Sequence, residues 1–126
     1  MNDITTENVQ EKLNLFQQMQ QQVQALSQQA SQIDMSINET ERTVEEIKDS
    51  GKDTVLYRAI GSIMKKVEDI DKLRKELEEE KETMEIRNKS LKNQIEKINV
   101  ELVEMQKKLT PVVQSVQETS GKNAPE

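Results

Sequence analysis

Thr54-Val55-Leu56-Tyr57-Arg58-Ala59-Ile60-Gly61-Ser62-Ile63-Met64-Lys65-Lys66-Val67 is the stretch on which the fold turns. It is dense in β-branched and aromatic residues and is split by Gly61, which suits two short strands around a glycine turn. Leu56, Ile60, Ile63, Val67 and Ile70 also keep helical spacing, so the stretch could equally extend a following helix backwards. The pattern alone leaves both readings open. One consideration leans toward strands: both faces of Val55–Ile60 are apolar, so the segment must be buried against something. An isolated two-stranded hairpin is marginal in water and its edges are open to pairing. Strands here would therefore belong to a sheet shared with other subunits, with Val55, Leu56, Tyr57, Ile60, Ile63, Met64 and Val67 as the candidate oligomer interface.

Outward toward the N-terminus, one heptad frame runs back from residue 48. Its first row is Val9, Phe16, Val23, Ala30, Ile37 and Val44, and its second is Lys12, Met19, Leu26, Ile33, Thr40 and Ile47. Spacings of three and four sustained this long predict a coiled-coil helix over about 7–48. Thr5 or Thr6 can cap its start, and Gly51 is placed to close its end in the left-handed conformation. Residues 17–32 hold nine glutamines, but Val23, Leu26, Ala30 and Ile33 keep the seam through them. The glutamines read as an uncharged solvated face.

Outward toward the C-terminus, a second helix is predicted over about 68–118, with Glu68, Asp69 and Asp71 suited to its positive end. Its seam reads Ile70, Leu77, Met84, Leu91, Ile98, Met105 and Val112. A companion stripe starts at Leu73, turns polar at Glu80 and Arg87, and continues as Ile95, Leu102, Leu109 and Val116. Pro111 should bend or fray the last turns, and residues 119–126 read as a disordered tail. Two such helices joined by about twenty residues most simply fold back antiparallel. At 1.5 Å per residue the first is roughly 63 Å long. Ile47 beside Ile70 would set Ala30 across from Arg87 and Val9 beside Leu109, with both termini at the far tip of a narrow rod. The fold class expected is mainly α, one domain over 1–118.

Composition agrees and removes most chemistry. Of the 126 residues 33% are hydrophobic and 33% charged, with one Tyr, one Phe, no Cys and no His. There is no thiolate nucleophile, imidazole base or soft metal site, and no disulfide, which fits a reducing, cytoplasmic setting. No cofactor is expected. No apolar run approaches a membrane span, and no signal segment opens the chain. The net charge of −6 is the wrong sign for nucleic-acid binding. Glu78-Glu79-Glu80 points its carboxylates about 100° apart and reads as solvated surface. No enzyme motif is present.

The open tip is richer in apolar groups than a two-helix seam requires. Val9, Leu13, Leu15, Phe16 and Met19 meet Leu102, Met105, Leu109, Val112, Val113 and Val116 there. The extra groups either widen the local packing or form an exposed patch, which usually marks a partner site. Met and Leu are suited to binding many partners loosely.

Between its two heptad segments, Val55 to Lys66 resembles the linker of the beta-class prefoldin subunits, co-chaperones of archaea and eukaryotes. Tyr57, Arg58, Gly61 and Lys65 or Lys66 fit that pattern, and the likeness spans roughly residues 8–116. One hairpin connector, where the alpha class has two, points to the beta class; the glutamine-rich first helix departs in composition but not in spacing. The resemblance implies a hexamer of two alpha-class and four beta-class subunits whose hairpins close an oligomeric β-barrel. It implies coiled-coil tentacles that bind non-native polypeptides without ATP and deliver them to a group II chaperonin. On that reading Val9, Leu13, Phe16, Met19, Met105, Leu109, Val112, Val113 and Val116 contact the unfolded client. A structural coiled-coil adaptor binding one defined partner is the alternative. A membrane-surface helix would need a basic face, and only three basic residues precede Asp49.

Overall fold

The computed structural model describes residues 3–51 and 53–122, with side chains described as far as residue 117. The order is α1 (Val9–Asp49), β1 (Tyr57–Ile60), β2 (Ile63–Lys66) and α2 (Ile70–Lys122). The connector is therefore a hairpin and not a backward extension of α2. Two compact units are formed, one of Gln29–Ser90 and one of Met1–Gln28 with Leu91–Glu126.

In the Gln29–Ser90 unit, α1 turns Ala30, Ile33, Ile37, Thr40, Val44 and Ile47 inward, and Ala30, Val44 and Ile47 are buried. This is the row pattern expected for α1. On α2 the row Ile70, Leu77 and Met84 is half-buried as expected, and so is Leu73 at the start of the companion stripe. Glu80 and Arg87 are exposed, and beyond Leu73 and Arg74 the inward positions are Lys81 and Asn88. The helices run antiparallel. Asn88 Nδ2 donates to Asp34 Oδ1 at 2.6 Å, and Lys81 Nζ meets Glu41 Oε1 at 3.6 Å. Those two bridges join positions about five residues, roughly 7.5 Å along the helix, away from the register that pairs Ala30 with Arg87.

The end of α1 is closed by Ser50. Its N–H donates to Ile47 O at 3.2 Å and its hydroxyl to Glu46 O at 2.8 Å. The first of these bonds takes the Ile47 carbonyl that a left-handed Gly51 would have served. Gly51 is accordingly not left-handed; among the described residues only Gly61 has positive φ, at 59°. The two-residue turn Gly61-Ser62 thus has positive φ at its first position alone, which is the type II′ hairpin turn. The register pairs Tyr57 with Lys66, Arg58 with Lys65, Ala59 with Met64 and Ile60 with Ile63. Val67 N–H donates to Leu56 O at 2.9 Å, which carries the ladder one step further. Asp69 then caps α2, its Oδ1 accepting from Lys72 N–H at 3.1 Å.

In the other unit, Val9, Lys12, Phe16, Met19, Val23 and Leu26 of α1 are half-buried, as are Leu91, Ile95, Ile98, Leu102, Met105 and Val112 of α2. Thr5 opens the turn over residues 6–8 that leads into α1. Its N–H donates to Asn8 Oδ1 at 2.7 Å, and Asn8 N–H donates back to Thr5 Oγ1 at 3.3 Å. This is the reciprocal arrangement of a capping box, with Asn in place of Glu or Gln. α2 continues through Pro111 to Lys122, so the chain stays helical past the proline and overruns the boundary expected at 118. The rest of the expected tail, 123–126, lies outside the described residues.

Candidate functional site

Two surfaces carry apolar side chains that the chain itself leaves bare. The first is the hairpin. β1 and β2 alternate their side chains across the sheet, so Tyr57, Ala59, Met64 and Lys66 share one face while Arg58, Ile60, Ile63 and Lys65 share the other. Arg58 reaches back to α2, with Nη1 at 3.4 Å from Glu76 Oε2 and Nη2 at 3.9 Å from Glu80 Oε1. Both ion pairs are largely solvated and each contributes at most about 1 kcal/mol. Their use is directional, because they hold one face of the hairpin toward the start of α2. Even so, Val55, Tyr57, Ile60, Ile63 and Met64 are all more than half exposed; Leu56 and Val67, where the strands join the helices, are half-buried. Tyr57, Ile60, Ile63 and Met64 are therefore brought into one small sheet with Val55, Leu56 and Val67 flanking it, and the chain leaves more than half of each of the five exposed side chains uncovered.

The second surface belongs to the unit made by the two ends of the chain. Of the residues assigned there to client binding, Val9, Leu13, Phe16, Met19, Met105, Val112 and Val113 are half-buried and Val116 is exposed. Leu109 is the exception. At 4% exposure it is a packing residue, because the row Ile95, Leu102 and Leu109 faces α1. Reading that row as a tip surface overlooked that a seam position stays enclosed until the partner helix ends.

The same unit exposes two side chains that the seam analysis passed over. Val100 and Val103 are 58% and 52% exposed, one helical turn apart on the outer side of α2. A groove of about 450 Å³ runs beside them, lined by Ile4 and Lys12 with Val100, Glu104, Met105 and Lys108. A second, of about 430 Å³, adjoins it and takes in Ile95, Asn99 and Val103. The signal for these was present in the sequence as an i, i+3 valine pair lying off both seam rows, on a face otherwise polar.

Among the described residues no group of three or more acidic side chains is placed to hold a metal ion, and no helix is long and apolar enough to cross a membrane.

The family model for a prefoldin subunit matches residues 10–115 of this chain. The chain belongs to the prefoldin beta-subunit family. It is 41% identical to the prefoldin beta subunit of Archaeoglobus fulgidus over 101 residues, covering 80% of this chain and 86% of that one. Against the prefoldin beta subunit of Sulfolobus acidocaldarius the identity is 30% over 116 residues, 92% of each chain. The crystal structure of the prefoldin beta subunit from Thermococcus strain KS-1 superposes with a TM-score of 0.70 at 30% identity, covering 94% of this chain and 95% of that one. The prefoldin likeness drawn from Tyr57, Arg58 and Gly61 is thus borne out, and so is the helix–hairpin–helix fold. By family the chain is a chaperone subunit.

Proposed function

We propose that this prefoldin chain is an ATP-independent holdase subunit, which captures non-native polypeptides and passes them to a group II chaperonin. Assembly uses the hairpin. A two-stranded sheet bare on both faces and open at both edges is marginal alone, and edge-to-edge pairing with other hairpins removes both defects. The partners are an alpha-class prefoldin subunit and further copies of this chain, two alpha and four beta, in the cytoplasm.

Capture uses the unit formed by the chain ends. The observation that carries this is the coexistence there of exposed valines with adjoining grooves flanked by lysine and glutamate. An unfolded chain exposes scattered apolar groups with no fixed geometry, so its binder needs accessible apolar area without stereospecific pockets. Each contact is weak, about 1–2 kcal/mol for a partly buried aliphatic group, so affinity comes from several subunits holding one client. Val9, Leu13, Phe16, Met19, Met105, Val112, Val113 and Val116 supply the surface at the helix ends, and Val100 and Val103 extend it along α2. Leu109 supports it from beneath.

The test is aggregation suppression of unrelated unfolded proteins, without nucleotide, by the complex assembled with an alpha-class subunit. The intact complex should protect. Deleting residues 1–16 together with 110–126 should sharply weaken protection and leave the oligomer mass unchanged apart from the deleted residues. A truncated complex that protects as well as the intact one would move the client site elsewhere, and protection restricted to a single client would favour the adaptor reading.

A further inference from the structure

We propose that Lys81 and Asn88 form a pairing selector: a polar pair on α2 that accepts α1 and refuses another α2. The pair is set by geometry. Both residues occupy the inward heptad position that Ile95, Leu102 and Leu109 occupy further along the same helix, so nothing in the fold obliges it to be polar.

Stability alone does not account for the pair. Asn88 is 4% exposed, and its Oδ1 is buried with no hydrogen-bond partner. A buried acceptor left unsatisfied is costly, and a leucine there would fill the seam without that penalty. What Asn88 adds is discrimination, because its amide donates at 2.6 Å to a carboxylate, Asp34, that only α1 presents. One heptad away the same logic repeats with charge, where Lys81 meets Glu41 of α1 at 3.6 Å.

The alternative that needs excluding is a parallel pair of α2 helices from two chains. Ile70, Leu77 and Met84 would support it, and Asn88 could bond its own copy, as asparagine does in parallel coiled coils. Lys81 opposes it, since in such a pair its half-buried side chain would face an identical cation. Like charges opposed at an interface are a recognised means of rejecting a wrong partner. α1 carries the matching half of the choice, because half-buried Asp34 and exposed Glu41 stand beside its apolar rows and supply the carboxylates that Asn88 and Lys81 meet. The discrimination therefore resides in the complementarity of the two helices. The inference stands apart from the client-binding reading.

The chain has no cysteine, so cross-linking can read pairing directly. Met84→Cys places a thiol in the seam, where two copies meet only if α2 pairs with α2. In the otherwise native full-length chain, oxidation should give little disulfide-linked dimer. Adding Lys81→Leu and Asn88→Leu should raise it several-fold and also raise the melting temperature. Should that variant lose helix content by circular dichroism, the Met84→Cys chain with Glu41→Lys and Lys81→Glu carries the test. It preserves attraction between α1 and α2 and repulsion between α2 copies, and should cross-link at the native level. Glu41→Lys alone sets two lysines against each other between α1 and α2 and leaves α2 copies mutually repelled, so it should lower the melting temperature while cross-linking stays at the native level. Equal cross-linking in the native and leucine versions, or a rise in the swapped pair, would overturn the proposal.

Discussion

Leu109 and Val103 stand six positions apart on α2 and have opposite fates, one enclosed at 4% exposure and the other open at 52%. Their substitutions should separate accordingly. Leu109→Ala removes a packed side chain and should cost about 2–3 kcal/mol of unfolding free energy, at the lower end of buried leucine truncations because a two-helix seam can partly collapse. Val103→Ser should leave stability within about 0.5 kcal/mol and yet weaken aggregation suppression. Thermal melting and a client-protection assay run on the two variants decide the assignment. Loss of protection with Leu109→Ala alone, at temperatures where it stays folded, would restore Leu109 as a contact residue. Hydropathy could not have made this distinction, since both residues are aliphatic; the phase of the seam makes it. That phase is legible on α1, where apolar residues hold nearly every inward position. On α2 it is hidden between residues 70 and 91, because Arg74, Lys81 and Asn88 carry no hydrophobic signal. The nearest apolar residue, Leu73, draws the companion stripe one position off. The signal that does locate the polar row lies on the other helix, in Asp34 and Glu41 at heptad spacing.

At the scale of elements, the hairpin combines a decisive local rule with an unmet long-range one. Gly61 at φ 59° settles the turn, and a Cβ added there would meet no atom within 4 Å. The whole cost of Gly61→Ala is therefore backbone, about 1–2 kcal/mol for a left-handed alanine. Gly61→Asn should cost less, because asparagine tolerates that region. If both assemble as well as the native chain does, the turn is not needed for pairing. The long-range rule concerns cover. Replacing Ile60 or Ile63 with Asp should release subunits from the oligomer while leaving the circular dichroism of the helices intact. A carboxylate forced into an apolar interface costs several kcal/mol. An unchanged oligomer mass after both substitutions would exclude the hairpin as the interface. The choice between strand and helix for Thr54–Val67 was open in the sequence because β-branched residues happened to fall at both spacings. Asp69 and Gly61 resolve it, one starting α2 only at Ile70 and the other bending the chain before it.

For the whole molecule, assembly and stability are one equilibrium. If oligomerisation covers the hairpin, the native state is favoured by mass action, and the melting temperature should climb as protein concentration is raised. Melting curves over a hundredfold dilution would show this, and a midpoint independent of concentration would mean that the separate chain is as stable as the complex. One fact about the chain sets how such curves look. No side chain among the described residues is fully buried, and the accessible surface is 10111 Å². A globular protein of this mass would retain about 6,900 Å², out of about 21,000 Å² for the extended chain. Unfolding this chain thus uncovers about three quarters of the new surface that its length would ordinarily imply. Denaturant sensitivity and heat-capacity change both scale with that increment. A urea titration of the separated subunit should therefore be shallow and broad, its baseline drifting long before the midpoint. Steepness would return only in the complex, where unfolding one subunit also strips its neighbours, so that the sharpness of the transition belongs to the assembly and not to the chain.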